Sequence, residues 1–174
     1  MKILKTVFTL FVSVILFTSC GGESKKEKNQ EKNEANTNLT SDNNKPEKDD
    51  NLSRVVITAN DAMKFNKEEV YVKAGTRVKL ILRHIGKMDV NIMGHNVVIL
   101  KKGVDVADFA ARAATEKEND YLPEGTQDVI AHTKMIGGGQ ITTVEFDAPS
   151  VGTYDFICSF PAHYALMNGK FIVE

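Results

Sequence analysis

Cys158-Ser159-Phe160-Pro161-Ala162-His163-Tyr164-Ala165-Leu166-Met167 carries a thiol, an imidazole and a thioether at C-x4-H-x3-M spacing. A second imidazole stands far upstream, in Met93-Gly94-His95-Asn96. One thiolate, two neutral imidazoles and a weakly held thioether form a donor set that suits copper in both oxidation states. Thiolate and thioether favour Cu(I), and imidazole is acceptable to Cu(II). Three different donor types on one short loop are hard to explain as core packing.

The N-terminus has a different logic. Lys2 and Lys5 precede an apolar run from Val7 to Phe17, followed by Thr18-Ser19-Cys20-Gly21-Gly22. A basic start, a hydrophobic stretch and small residues at a processing point make an export signal, assigned here to residues 1–19. The run is shorter than the roughly 20 residues of a permanent membrane span. The cysteine directly after the small residues resembles a bacterial lipoprotein signal, with Phe17 where leucine is usual. That resemblance implies a lipidated Cys20 at the start of the mature chain. It places the protein in the cell envelope, anchored to a bacterial membrane, with the periplasmic face of the outer membrane as the expected site. An ordinary secretory signal with an incidental cysteine is the alternative, and it also exports the chain.

The chain has two cysteines, and assigning Cys20 to the anchor leaves Cys158 without a disulfide partner. An unpaired thiol in an exported protein is reactive, intermolecularly paired or a metal ligand. Residues 20–51 form the expected tether. From residue 21 onward it is mostly Lys, Glu, Asn, Asp, Ser and Thr, with eight acidic against six basic side chains. Such a segment buries too little apolar surface to offset its ordering entropy. As a flexible coil its r.m.s. reach is about 30 Å. Cleavage of the signal removes Lys2 and Lys5 from 22 basic residues and leaves 23 acidic ones, a net charge of −3. With no concentrated basic face, nucleic acid is excluded as a partner.

Residues 52–174 are long enough for one domain with its own core. Arg54–Thr58, Glu69–Lys73, Arg77–Arg83, Val97–Leu100, Gln140–Phe146, Thr153–Cys158 and Lys170–Val173 read as short strands. Ala74-Gly75, Ala148 to Gly152 and Asn168-Gly169 punctuate them as turns. The pattern predicts an all-β sandwich or barrel. Val104–Lys117, rich in alanine, predicts a helix packed outside the sheets, an insertion around 104–118.

With these elements placed, the stretch from about Val55 to Val173 resembles the azurins, a branch of the cupredoxins. The densest matches are Ala59 to Asn66, Asn91 to Asn96, Val129 to Lys134 and Cys158 to Lys170. The resemblance implies an eight-stranded Greek-key sandwich holding one type-1 (blue) copper and serving as a one-electron carrier rather than an enzyme. It implies His95, Cys158 and His163 as trigonal ligands, Met167 as a long axial ligand and the Gly94 carbonyl as a second weak axial contact. It further implies that the Asn96 side chain ties two ligand loops together, and that the Asn96 and Phe160 amides point at the cysteine sulfur. His163 becomes the electron exit, in an apolar docking patch for redox partners with Met63, Met93, Pro161 and Ala162 around it. His84 aligns with a non-ligand histidine near the site, and a packed role without redox linkage is slightly favoured for it. His132 is read as a surface residue.

Three positions depart from the family. Ala162 replaces the glycine before the loop histidine, and Val97 replaces a tryptophan. Ser53 and the Gly75-Thr76 turn stand where a disulfide is usual, so a lower stability margin is expected with copper binding intact. A copper storage or delivery protein is the competing function, and it would favour clustered methionines or histidines. Their scatter along the sequence argues against it. A multicopper enzyme needs more than the four histidines present.

Overall fold

The computed structural model describes residues 51–174; the expected signal, Cys20 and the tether up to residue 50 lie outside them. The elements are β1 (Leu52–Asn60), β2 (Lys64–Phe65), β3 (Glu69–Val72), β4 (Arg77–His84), α1 (Val90–Met93) and β5 (Val98–Leu100). There follow α2 (Val106–Ala113), a 3₁₀ turn (Lys117–Asn119), β6 (Val129–His132), β7 (Ile141–Asp147) and β8 (Gly152–Ile157). A second 3₁₀ turn (His163–Ala165) and β9 (Asn168–Val173) complete the chain. One sheet runs β2-β1-β4-β7 and the other β3-β9-β8-β5-β6. β1 lies parallel to β4 and β3 parallel to β9, with the other pairs antiparallel. This is an all-β sandwich. β2 is a two-residue arm folded back on Ala59 and Asn60, and counting it separates nine segments from the expected eight.

Alternation explains the layers. In β1, Val55, Ile57 and Ala59 are buried, and in β4 Val78, Leu80 and Leu82 are buried, so one face of each strand meets the other sheet. These residues join Phe65, Val97, Ile99, Phe156 and Phe171 in the inter-sheet core, which also contains Cys158 and Met167. β5 is buried on both faces. Val97 and Ile99 face the inter-sheet core, while Val98 and Leu100 meet Phe109, Ala113, Leu122 and Ile157 in a second cluster outside the sheet.

The expected insertion therefore packs where the sequence placed it, although its helix is shorter. Asp105 accepts the Asp108 amide at 2.9 Å and caps the helix, so α2 starts at Val106. It ends at Ala113, and a separate 3₁₀ turn takes up Lys117. Strands β2 and β6 were not among those predicted. β2 is too short to show alternation, and β6 reads as a strand only once β5 is beside it.

A hydroxyl pair stands where the resemblance implies a disulfide: Ser53 Oγ and Thr76 Oγ1 lie 2.7 Å apart, and Thr76 Oγ1 also donates to the Lys73 carbonyl at 2.7 Å. A neutral hydrogen bond contributes about 1 kcal/mol net, against roughly 2–4 kcal/mol for a disulfide. Double-mutant analysis of Ser53→Ala and Thr76→Val, read by urea unfolding, should give a coupling of about 0.5–1.5 kcal/mol. Strict additivity would show that the pair contributes nothing.

Candidate metal centre

The upstream histidine is presented by a tightly turned backbone. Asp89 caps α1 through the Asn91 amide at 2.9 Å, and the turn delivers the chain to Gly94. Only glycine fits there, because a Cβ would stand 2.5 Å from the Val90 carbonyl oxygen. His95 then exchanges two backbone hydrogen bonds with Ile136, both 2.9 Å. Its ring Nε2–H donates to the Asn60 carbonyl at 2.9 Å, which leaves the Nδ1 lone pair free as a ligand.

Cys158 follows directly on β8. Its amide donates to the Met167 carbonyl at 2.9 Å, and the Met167 amide donates to the His163 carbonyl at 2.8 Å. The loop is thus closed on itself, with Met167 fully buried beside Cys158 in the core. His163 sits on the second 3₁₀ turn and is 4% exposed.

These segments converge. The Cys158 Sγ lies 3.8 Å from His95 Nδ1 and 3.7 Å from His163 Nδ1, and all three donor atoms fall within 4.8 Å of one another. With bond lengths of about 2.3 Å to sulfur and 2.0 Å to nitrogen, taken from zinc sites, trigonal bonds 120° apart put S and N about 3.7 Å apart; tetrahedral bonds give about 3.5 Å. Both observed sulfur-to-nitrogen spacings fit one first-row ion held among the three donors. The Gly94 carbonyl oxygen is 3.9 Å from the same sulfur.

Asn96 locks the two ligand segments together. Its Oδ1 accepts the Ser159 amide at 2.9 Å, and its Nδ2 donates to Ser159 Oγ at 2.8 Å and to the Asp120 carbonyl at 3.0 Å. Among the described residues every buried side-chain nitrogen and oxygen has a partner. His84 is 2% exposed and stacks on His95 with ring centroids 4.5 Å apart. The Gly86 amide donates to its Nδ1 at 3.0 Å, so its Nε2–H donates to the Met93 carbonyl at 2.9 Å. His132 is exposed. Met63 and Met93 are half-buried, as is Pro161, while Ala162 is exposed. Ile92 at 66% and Leu166 at 64% are among the large exposed hydrophobics that were not singled out from the sequence. Neither carries a donor atom, so only their position reveals them.

Burial controls the acid–base state of the donors. It pushes the Cys158 thiol up to about 12, although the Asn96 and Phe160 amides pull the other way. It pushes His95 down to about 4 against the opposing Asn60 carbonyl, and it lowers His163 against the Gly94 carbonyl. Near neutral pH the metal-free site therefore offers two neutral imidazoles and a protonated thiol.

Ala162 precedes His163 with φ at +68°. The left-handed region costs a residue with a Cβ about 1–2 kcal/mol, so the departure from the family glycine has a conformational cost. Ala162→Gly should stabilise the metal-free protein by about 1 kcal/mol in urea unfolding. Unchanged or reduced stability would contradict the strain at this position.

The metal-free protein should also be most stable between about pH 6.5 and 9. Below 6.5 the unfolded chain takes up the proton that folded His95 refuses until about pH 4, so stability falls as pH drops through that window. Above 9.0 the unfolded thiol ionises while Cys158 keeps its proton to about 12, so stability falls as pH rises. Melting temperature against pH checks both limbs, and a flat alkaline limb would contradict the buried thiol.

Comparison with known proteins agrees with this geometry. The family model for copper-binding proteins of the plastocyanin/azurin family matches residues 51–174. The chain is 40% identical over 119 residues to the azurin of Alcaligenes faecalis, covering 66% of this chain and 93% of that one. It is 36% identical over 126 residues to the azurin of Pseudomonas chlororaphis, covering 70% and 98%. Among solved structures, an azurin (Az-iso2) from Methylomonas sp. strain J superposes with a TM-score of 0.64 at 32% identity, covering 70% of this chain and 97% of that one. Auracyanin A, a blue copper protein of Chloroflexus aurantiacus, superposes at 0.65 with 29% identity, covering 71% and 99%. With His95, Cys158 and His163 gathered as a metal site on a cupredoxin sandwich, the chain belongs to the plastocyanin/azurin family of copper-binding proteins.

Proposed function

We propose that this protein is a type-1 copper electron carrier rather than an enzyme. The observation that carries the reading is the spacing of one thiol and two imidazole nitrogens, 3.7 and 3.8 Å from sulfur to each nitrogen, on a scaffold hydrogen-bonded independently of any ion. His95, Cys158 and His163 would hold the copper, and the Met167 thioether and Gly94 carbonyl would serve as further, weaker donors. Copper bound there supplies a one-electron couple between Cu(II) and Cu(I). The chain's part is to hold the donors in a geometry that serves both states, so that little rearrangement accompanies transfer. The Asn96 and Phe160 amides facing the sulfur tune the potential by withdrawing charge from the thiolate.

His163 is the electron exit. Redox partners dock on an apolar patch around it of Met63, Met93, Pro161 and Ala162. A small interface of this kind lets partners separate quickly. His95, Cys158 and His163 are all buried, which favours a retained cofactor over a storage or delivery role that hands metal on.

The carrier is exported and held at a bacterial membrane through lipidated Cys20 and the residue 20–51 tether, at the periplasmic face of the outer membrane. The direction of β1 supports the use of such a tether. Asn60, at the end of the strand, contacts His95, while Leu52 begins it eight residues away, about 26 Å at strand rise. The proposed tether thus ends at the end of β1 away from the strand's contact with His95.

Adding Cu(II) to the purified protein should give an intense blue colour and a type-1 EPR signal. A colourless product would overturn the assignment. Cys158→Ser should abolish the colour. Loading replaces one thiol proton near neutral pH, so apparent copper affinity measured by chelator competition should rise about tenfold per pH unit between 7 and 9. A pH-independent affinity would show that the thiol is not a ligand.

A further inference from the structure

The insertion outside the five-stranded sheet touches the metal centre at an unusual corner. After the 3₁₀ turn at Lys117–Asn119, both Asp120 (φ +53°) and Tyr121 (φ +56°) adopt the left-handed conformation. For residues with a Cβ this costs about 1–2 kcal/mol each. Two in succession persist only where surrounding contacts over-determine the backbone.

Those contacts lead to the ligands. The Asp120 carbonyl accepts Asn96 Nδ2 at 3.0 Å, and the same amide group holds Ser159, the residue after Cys158. Asp120 Oδ1 accepts the Met135 amide at 3.2 Å, and the Met135 sulfur stands 3.0 Å from the place a Cβ on Gly94 would occupy. The buried Tyr121 ring meets Phe160 edge-on at 5.2 Å, and Phe160 lies against the His163 ring at 4.5 Å. Tyr164, beside His163, packs on the cluster that contains Phe109 of α2. From one corner the insertion therefore reaches the flank of the thiol, the Gly94 turn and the exit histidine.

We propose that Asp120 and Tyr121 are positioning residues for the copper centre, through which the insertion fixes the Cys158 hydrogen bonds and the tilt of His163 and thereby sets the reduction potential. The proposal rests on the copper-carrier reading. It assigns the left-handed corner a purpose that packing alone does not: a plain connector could turn here on glycine without strain. Phe160 is then an intermediary, held between Tyr121 and His163.

The test is voltammetry of the copper-loaded full-length protein, with EPR and the visible spectrum recorded on each variant. Asp120→Gly keeps the left-handed turn comfortable and retains the main-chain carbonyl that Asn96 uses, but it releases the Met135 amide and with it the side-chain restraint on where that carbonyl sits. It should shift the Cu(II)/Cu(I) equilibrium at least threefold towards Cu(II), about 28 mV downward at 59 mV per decade, as the amides relax from the sulfur. Tyr121→Leu removes the ring behind Phe160 and should shift the midpoint by at least the same amount in either direction, with altered copper hyperfine splitting. Tyr121→Phe and Asp120→Asn should restore the parent values, and Glu118→Ala, exposed on the same turn, should leave them unchanged. Blue variants with unmoved midpoints and spectra overturn the positioning role and leave the carrier reading standing. A parent protein that never turns blue removes the carrier reading itself. If Tyr121→Leu does not fold, Asp120→Gly decides alone, since it relieves strain. Failure of both to fold would make the corner a stability element and overturn the proposal.

Discussion

A sulfur sealed from water is the constraint around which this molecule is arranged. A thiolate in an apolar enclosure is unstable without a nearby cation, and burial here holds the Cys158 proton to about pH 12. Two backbone amides aim at the sulfur, but they are dipoles and offset only part of the lost solvation. A cation bound between two neutral imidazoles supplies the rest. The same enclosure keeps His95 neutral down to about pH 4, so burial that opposes an ionised thiol also prepares the nitrogen donors. Desolvation thus favours a metal-loaded site, and it shields the thiol from oxidants in the medium.

A preformed site needs donors that do not collapse on one another, and backbone hydrogen bonds perform that separation. His95 is held on both sides, by Ile136 through its main chain and by Asn60 through its ring. His163 and Met167 share a closed turn whose far end returns to the Cys158 amide. Asn96 then fastens the two segments to each other, its Oδ1 accepting the Ser159 amide and its Nδ2 donating to Ser159 Oγ and to the Asp120 carbonyl. These restraints involve chain atoms only, so the protein itself holds the donors apart.

The loop was legible in the sequence because donor identity and spacing are written there directly. Cys158, His163 and Met167 fall within ten residues, and His95 follows a glycine whose need is steric. Strands with period-two burial, such as β1 and β4, were legible for the same reason. β5 was legible as well, from its run of β-branched and aliphatic residues, although a strand covered on both faces does not alternate. The short arm β2 and the edge strand β6 depend on partners distant in the sequence. Positive φ at Met63, Asp120, Tyr121 and Ala162 was hidden because none is glycine. Only for Ala162 did the resemblance supply a hint, through the glycine it replaces. Nor could residue type alone show that Ile92 and Leu166 face solvent, since both are ordinary core residues.

The Ser53–Thr76 hydroxyl pair and the metal centre stand at opposite ends of β1. Ser53 and Thr76 sit at the start of β1 and β4, whereas the other end of β1 supplies Asn60 to His95. A covalent brace at the first end acts mainly by restricting the unfolded chain. The position of Asn60 is set locally instead, by the parallel register that carries Ala59 onto His84 and by the β2 arm that returns Lys64 onto Asn60. A change at the Ser53–Thr76 pair therefore leaves untouched the contacts that place the carbonyl orienting the ligand ring.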